Sequence, residues 1–155
     1  MNNKFEIIDQ CRISQSKNLT KVLDLGLQPL ANSLKNKQFG NENKYPLTLS
    51  FCEKSSLLQL NETIKKEILF DSYVWVTATS STAKMYSNTF YNEVVKNIKL
   101  EKSDDLIIEI ASNDGTFLKP FIKNGFRKVF GVDPAKNICE LANIENIPTV
   151  NDYWS

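Results

Sequence analysis

Short apolar runs separated by polar turns make up residues 7–60 of the chain. Residues 22–26 and 47–51 alternate in part between apolar and polar positions, and residues 57–60 form a short apolar run. Alternation with a period of two is typical of strands that bury one face. We therefore predict short strands and turns here, with a surface loop at residues 32–44, which are polar and rich in Asn and Lys.

A helical pattern follows in residues 82–98, where Tyr86, Phe90 and Val94 recur every four positions. This spacing places the three side chains on one face of a helix. The simplest interpretation is that the aromatic face packs on a sheet. A shorter helix is predicted over residues 62–70, between this helix and the strands that precede it.

The last third of the chain alternates strand patterns with helical patterns. Its first apolar run is nearly continuous, which is typical of a buried parallel strand. An order of strand, helix, strand, helix and strand predicts a parallel sheet with right-handed crossovers. The predicted elements span residues 106–110, 116–124, 128–133, 134–144 and 148–150.

The composition is that of a globular protein and argues against several functional classes. A formal net charge of +1 gives no strong field that would favour nucleic acid or an anionic membrane. No apolar run approaches the roughly 20 residues that span a bilayer, and the N-terminus lacks the apolar core of a secretory signal. A cytoplasmic protein without nucleic-acid or membrane partners is therefore expected. The chain has no histidine, which removes the commonest general base.

Residues with candidate chemistry follow the first predicted strand of the parallel sheet and end the second. Ligands bind such sheets outside the carboxyl ends of the strands. Gly115 allows a sharp turn and a close approach of backbone to ligand, and Asp133 is placed to accept hydrogen bonds from a ribose diol. Asp133 is explained equally well as the N-cap of the next helix, with Pro134 in the first helical position. Glu109 could equally be an acid that backbone amides satisfy.

The loop at residues 111–115 has the sequence Ala-Ser-Asn-Asp-Gly. It lacks the G-x-G-x-x-G pattern that cradles a pyrophosphate, which counts against a nicotinamide-dependent oxidoreductase. A polar, acidic loop suits a ligand that has a positive charge and no phosphates. S-adenosylmethionine, a sulfonium that carries an amino acid, is such a ligand.

The run Ile-Glu-Ile-Ala-Ser-Asn-Asp-Gly-Thr at residues 108–116 resembles the cofactor loop of the sugar C-methyltransferases that act on nucleotide-linked ketosugars. The resemblance extends over nearly the whole chain, in the order that the family has. The other matching segments are residues 23–32, 45–47, 58–60, 69–70 with Tyr73, 131–138 and 147–149.

The resemblance implies that S-adenosylmethionine binds the glycine loop and the acid after the second strand. It also implies methyl transfer to a carbon beside a keto group: a base removes a proton, an enolate forms, and its carbon attacks the methyl group. Tyr73 matches an active-site tyrosine region of the family and is the candidate catalytic residue, with a packing aromatic at the surface as the alternative. The cofactor-binding candidates are Glu109, Ala111, Asn113, Asp114, Gly115 and Asp133.

The N-terminal module of the family resembles a zinc site made of two Cys-x-x-Cys knuckles. The corresponding segments here begin at Cys11 and Cys52 and end at Ser14 and Ser55, so each has lost its second thiol. Structural zinc takes four ligands, usually thiolates or imidazoles, and this donor set argues against zinc. The two cysteines are then small buried residues, or a disulfide pair that a reducing cytosol disfavours. Cys139 is interpreted as a core residue.

Together these patterns predict an α/β chain in three parts. Residues 1–60 form a degenerate zinc-ribbon-like module, residues 61–100 a helical connector, and residues 101–155 the first β-α-β-α-β part of a Rossmann-like methyltransferase sheet. The chain is expected to hold the donor half-site and to be catalytically incomplete, because the family's base and most of its sugar pocket lie further downstream. The alternative is a non-catalytic interaction module that pairs with a separate C-terminal half, or with a second copy, through an exposed sheet edge.

Overall fold

The computed structural model describes residues 4–34 and 42–154. The chain divides into two compact units between Leu69 and Phe70. Within the described residues, none of the helices is long and apolar enough to cross a membrane. The division into three parts that the sequence suggests stays a prediction.

Two antiparallel sheets make up the first unit. The larger contains β2 (Thr20–Pro29), β3 (Lys44–Cys52) and β4 (Leu57–Leu60) in that order, and the smaller pairs β1 (Phe5–Ile7) with β5 (Glu62–Ile64). β2 and β3 extend beyond their predicted bounds because they pair with each other along most of their length. The strand predicted in the third position, β4, has the predicted bounds.

Few apolar side chains are buried in the first unit. Among its described residues they are Cys11, Tyr45 and Cys52, and the Phe5 ring meets the Tyr45 ring edge to face at 6.1 Å. Every residue of β2 is exposed. The loop predicted at residues 32–44 lies partly outside the described residues. So small a core leaves much of the ordering of this unit to hydrogen bonds.

Helical segments lead from the first unit into the second. α1 (Lys66–Phe70) crosses the boundary between the units, a single 3₁₀ turn spans Thr77–Thr79, and α2 spans Ser81–Asn97. The long helix predicted over residues 82–98 is confirmed to within one residue at each end. The helix predicted over residues 62–70 is wrong in its first part, because those residues pair with β1 as the strand β5.

A parallel sheet forms the centre of the second unit. β6 (Leu106–Ile110), β7 (Lys128–Asp133) and β8 (Thr149–Asn151) lie in that order, and α3 (Lys119–Lys123) and α4 (Lys136–Ile144) follow the first two strands. The strand positions and the alternation of strands and helices are as predicted. The mixed α/β class expected from the sequence is confirmed.

Both connecting helices are shorter than the sequence suggests. The predicted starts, at residue 116 and at Pro134, are wrong. Tight turns precede α3, and α4 has Ala135 rather than Asp133 as its N-cap. Asp133 is not available as a helix cap because its Oδ1 accepts the Ala135 N–H and closes a turn before the helix begins.

The aromatic face of α2 packs on the region around α3. The rings of Tyr91 and Phe121 meet edge to face at 5.0 Å, and those of Phe90 and Phe117 at 5.7 Å. Tyr91 also packs on a buried cluster that includes a residue of β7. Tyr86 and Phe90 remain largely exposed, so the expected packing of this face on a sheet is wrong for most of the face, which packs around α3 instead. The members of that cluster are Leu118, Phe121, Phe126, Val129, Ala142 and Ile147.

The opposite face of the parallel sheet is open. Leu106, Ile108 and Ile110 of β6 are 57%, 43% and 53% exposed, and the neighbouring Phe130 and Val150 are exposed as well. The apolar run of β6 is typical of a buried strand, but this face is exposed, in line with the exposed sheet edge expected from the sequence. β6 is also an edge strand of the sheet. Parallel sheets usually have both faces covered, so this surface is unusual for its class.

Candidate functional site

One carboxylate joins the loop after β6 to the end of β7. The Asn113 N–H donates to Asp133 Oδ2 at 2.8 Å, and the Ala135 N–H donates to Asp133 Oδ1 at 2.9 Å. Asp133 is only 6% exposed, and these donors satisfy part of its need for partners. A carboxylate oxygen has two lone pairs, so each oxygen keeps an acceptor position for a ligand hydroxyl.

The backbone of the loop has an uncommon conformation. Ala111, Asn113 and Gly115 have φ angles of 56°, 50° and 71°, in the left-handed region that side chains other than glycine rarely adopt. A Cβ at Gly115 would lie 2.7 Å from Cγ2 of Ile147. Glycine is thus required at this position by both φ and space. Residues with such φ angles often cluster at ligand sites.

The Asn113 and Asp114 side chains bind the segment that precedes α2. Asn113 Oδ1 accepts from the Thr77 N–H at 2.8 Å and from the Thr77 hydroxyl at 3.0 Å, and its Nδ2 donates to the Trp75 carbonyl at 3.0 Å. Asp114 Oδ2 accepts from the Ala78 N–H at 3.1 Å. Both side chains are candidates for ligand binding from the sequence, which gives no sign of this contact. The segment before α2 is therefore fixed to the loop by hydrogen bonds.

Tyr73 lies at the start of α4, which follows the carboxyl end of β7. Its N–H donates to Asn137 Oδ1 at 3.0 Å, and Asn137 Nδ2 donates to the Tyr73 carbonyl at 2.8 Å. These bonds use backbone atoms of Tyr73, so they fix its position without engaging its hydroxyl. Asn137 thus holds the Tyr73 backbone in place, and it is not among the candidates that the sequence suggests.

Glu109 has a buried carboxylate oxygen, Oε2, that has no hydrogen-bond partner in the described structure. Burial, and next the charges of Asp114 and Asp133, raise the pKa of Glu109 to about 7. A buried acid beside two others is costly to ionise unless a cation or a hydrogen-bond donor approaches it. The carboxyl end of β6 therefore holds an acid whose ionised form needs a nearby positive charge or hydrogen-bond donor.

Close packing behind the loop involves residues that the sequence analysis does not select. A Cβ at Gly131 would lie 2.5 Å from Ser112 Oγ and 2.8 Å from Thr149 Oγ1. Ser112 Oγ is itself buried and has no hydrogen-bond partner in the described structure. Gly131 thus lets the loop approach β7 closely. This close packing requires glycine at position 131. The hydrophobic pattern of the sequence does not indicate such a requirement.

The six cofactor-binding candidates therefore lie near the carboxyl end of β6, on the loop that follows it and at the end of β7, all at the same edge of the sheet. Their roles toward a ligand stay predictions, as does the catalytic role of Tyr73. The segment before α2, Asn137 and Gly131 are additions that only the folded chain identifies. Cys139 is buried, as expected for a core residue, and its thiol donates to the Asp133 carbonyl at 3.1 Å.

A second polar cluster lies in the first unit, where the two Cys-x-x-Ser segments meet. Cys11 Sγ and Ser55 Oγ share a hydrogen bond of 3.1 Å, and Ser14 Oγ and Cys52 Sγ share one of 3.4 Å. The Ser14 N–H also donates to Cys11 Sγ at 3.4 Å. Both thiols are fully buried and free. Each bond across the cluster joins the thiol of one segment to the hydroxyl of the other.

The hydroxyls stabilise the thiolate forms of both cysteines. Burial raises the pKa of Cys11, but hydrogen bonds from Ser14 and Ser55 outweigh it and bring the value to about 6. The Ser14 and Ser55 side chains likewise hold the pKa of Cys52 below its usual range, against burial and the Cys11 thiol. Two thiols are nevertheless half of a structural zinc set. Within the described residues, no three Cys, His, Asp or Glu side chains come together as a metal site.

Comparison with known proteins identifies the class to which these features correspond. Residues 11–70 match a methyltransferase family model described as "Putative zinc binding domain". The recognition of the C-methyltransferase family from the sequence is confirmed by this match together with a curated relative. That relative is the C-methyltransferase NovU of Streptomyces niveus, which is 31% identical over 145 residues. The match covers 92% of this chain, and the chain spans about a third of the relative's length (34%).

Proposed function

We propose that the second unit is the donor half-site of an S-adenosylmethionine-dependent C-methyltransferase that acts on a nucleotide-linked ketodeoxysugar. The observation that carries the proposal is the unpaired, buried Oε2 of Glu109 at the carboxyl edge of a parallel sheet. The similarity to a C-methyltransferase supports the reaction class. By itself the chain is proposed to be catalytically incomplete.

The chemistry of the loop fits the methyl donor. The donor's sulfonium and ammonium groups are cations that would favour the ionised form of Glu109, and its ribose hydroxyls would donate to the free lone pairs of Asp133. Gly115 keeps the space beside Ile147 clear and allows the loop its turn. In this assignment the β-α-β-α-β unit is the first part of a Rossmann-like sheet, which binds ligands at this edge.

Tyr73 is proposed to face the sugar. Its backbone is fixed by Asn137 while its ring is only partly buried. A phenol held in this way can donate a hydrogen bond to an oxygen that gains charge in the reaction, such as the enolate oxygen beside the attacking carbon. S-adenosylmethionine supplies the electrophilic methyl group when it is bound. This chain contributes the positioning of donor and sugar in near-attack geometry.

Calorimetric titration of the purified chain with S-adenosylmethionine tests the proposal. Saturable binding is expected, with loss of at least tenfold in affinity on Asp133→Ala and on Gly115→Val. The control is Glu140→Ala, an exposed acid on α4, which should bind like the parent. Titration with NAD should give no heat of binding. A folded parent chain that does not bind the methyl donor, or that binds NAD instead, would overturn the proposal.

A second candidate function is favoured by the open side of the parallel sheet. A groove of about 340 Å³ runs beside the edge strand β6, between it and α2 and the α3 region, and the bare face of the sheet adjoins it. An added strand could pair with β6 while its alternate side chains enter the groove and cover the face. On this proposal the chain is a subunit that pairs with a polypeptide equivalent to the rest of the longer relative.

Light scattering on the purified chain measures its oligomeric state. It distinguishes a chain that pairs with a different polypeptide from one that associates with itself. The interaction hypothesis predicts a chain that elutes as a monomer when alone and forms a complex when co-expressed with a polypeptide equivalent to the remainder of the relative. Ile108→Lys should abolish the complex, whereas Leu141→Lys, at an exposed apolar position on α4, should leave it intact. A complex that tolerates Ile108→Lys would exclude β6 as the interface.

A further inference from the structure

The two Cys-x-x-Ser segments are arranged like a zinc site, but their side chains are not those that usually bind zinc. Cys11, Ser14, Cys52 and Ser55 converge from two distant parts of the sequence, in the arrangement that a metal centred between two knuckles would need. The Ser14 N–H bonded to Cys11 Sγ gives the first segment the tight turn of a knuckle. The donors are two thiols and two hydroxyls, and a neutral hydroxyl is a poor ligand for zinc near neutral pH.

Other hydrogen bonds hold the first segment where a metal would otherwise hold it. Gln59 of β4 is 5% exposed. Its Oε1 accepts from the Arg12 N–H at 2.9 Å, and its Nε2 donates to the Gln10 carbonyl at 3.1 Å. The Arg12 guanidinium reaches on to Thr63 Oγ1 at 2.6 Å. The segment around Cys11 is thus tied to the sheets by several contacts that involve no thiol.

We infer that these segments are a metal-independent version of a zinc knuckle pair, in which the crossed Cys–Ser hydrogen bonds and the Gln59 bridge take the place of the metal. The serines occupy the positions of the missing ligands, so the geometry of a four-ligand site is kept while its affinity for zinc is lost. This inference concerns the first unit and does not depend on the function proposed for the second.

Zinc content and the effect of a chelator test the parent chain. The chain is refolded with and without zinc, dialysed, and analysed for metal by mass spectrometry. We expect less than one zinc ion per ten chains, and no change in melting temperature or in alkylation of Cys11 and Cys52 when EDTA is added. Stoichiometric zinc, or thiols that become reactive only with EDTA, would overturn the inference.

Restoration of the missing thiols tests the geometry. The double variant S14C with S55C should bind one zinc ion per chain, and EDTA should then lower its melting temperature. The matched control, S14C with S56C, has the same number of cysteines but places one at an exposed position next to the cluster, and it should bind zinc at least a hundredfold more weakly. Equal zinc binding by the two variants, or none by S14C with S55C while it remains folded by circular dichroism, would refute the assigned positions.

Discussion

The chain has two groups of polar residues, the Cys-x-x-Ser cluster of the first unit and the acids around the loop at residues 111–115 of the second. They differ in how many of their hydrogen-bonding atoms have partners within the protein. In the first unit each thiol of the cluster has a hydroxyl partner from the other segment. In the second unit backbone amides satisfy Asp133 only in part, and Glu109 keeps a buried oxygen without a partner in the described structure. A cluster that is satisfied internally needs nothing more from outside, whereas an unpaired buried acid favours a ligand. The difference separates a structural site from a candidate binding site.

The clusters also differ in what supports them. The cluster in the first unit lies in a region with few buried apolar side chains, so its hydrogen bonds contribute directly to order. The loop of the second unit lies on a buried aromatic and aliphatic core and can store backbone strain at Ala111 and Asn113. Changes to the loop should therefore act on both stability and ligand binding, and changes to the cluster on local order alone.

The largest effect is expected for Gly115→Val. The new side chain would require a β-branched residue at a φ of 71° and would collide with Ile147. Together these costs should lower the free energy of unfolding of the second unit by about 4 kcal/mol. Both tryptophans of the chain, Trp75 and Trp154, lie in this unit, so denaturant unfolding followed by tryptophan fluorescence measures it.

The matched control for this change is Gly125→Val. Gly125 has a φ of 89°, but the nearest atom to a Cβ there is Lys102 Cδ at 3.9 Å. It therefore incurs the backbone strain without the collision and should cost about half as much. Equal losses for the two variants would mean that the space beside Ile147 is unimportant.

Loss of the ionisable group at Glu109 should have the next largest effect, and it depends on pH. The pKa of Glu109 is raised from 4.5 to about 7 in the folded chain, so the folded state holds its proton while the unfolded state has lost it. The contribution of this group to the free energy of unfolding is fully present below pH 4.5 and is lost as the pH rises to about 7. The total loss is about 3 kcal/mol at most. Glu109→Gln should abolish that slope.

Unfolding curves at pH 5 and pH 8 check this expectation, with the exposed acid Glu140→Gln as the control that keeps the parent's slope. The same carboxylate links pH to ligand binding with the opposite sign. A cationic ligand prefers ionised Glu109, so the affinity of the parent for S-adenosylmethionine should increase from pH 6 to pH 8, and that of Glu109→Gln should not. A slope of stability that is identical in Glu109→Gln and the parent would contradict the assignment.

The elements of the fold follow from local patterns more closely than the contacts do. The apolar runs at β4 and β6 define those strands to the residue, because a run bounded by turns is a local property. The starts of α3 and α4 are not local in this sense. Asp is a residue type that is common at helix N-caps, but the Asp133 oxygens accept hydrogen bonds from the loop that begins at residue 111 and from the turn at Ala135.

The site is predictable in its residue types and not in its partners. The sequence identifies Asn113 and Asp114 as polar loop residues, but their contacts with Thr77 and Ala78 join positions 36 apart. No periodicity reports such a pairing. The unpaired state of Glu109 likewise depends on what every neighbouring side chain does. The convergence of the two Cys-x-x-Ser segments could be anticipated only from the resemblance to a paired-knuckle family.

In the first unit the larger effect is expected for Gln59→Leu. The substitution leaves the Arg12 N–H and the Gln10 carbonyl without their partner, at a cost of about 1 kcal/mol for each of these two partly buried hydrogen bonds. The rate at which Cys11 is alkylated reports the opening of this segment and should increase at least tenfold. Gln28→Leu, at an exposed glutamine of β2, should leave the rate unchanged. Alkylation of Cys139, in the other unit, should not respond to either variant.

The smallest effect is expected for Ser14→Ala, because each hydrogen bond between a thiol and a hydroxyl contributes about 1 kcal/mol or less. The change removes the hydroxyl from Cys52 and Cys11, and both thiols then lose a group that lowers their pKa. The pH at which Cys11 reacts with iodoacetamide should therefore shift upward from about 6, while the Gln59 bridge keeps the segment closed. Ser56→Ala, at the exposed neighbouring serine, should change neither quantity. If Ser14→Ala instead unfolded the first unit, the Cys–Ser hydrogen bonds would be the main interactions that stabilise it. The cluster and the loop would then contribute comparably to stability and would differ only in whether they have unpaired groups for a ligand.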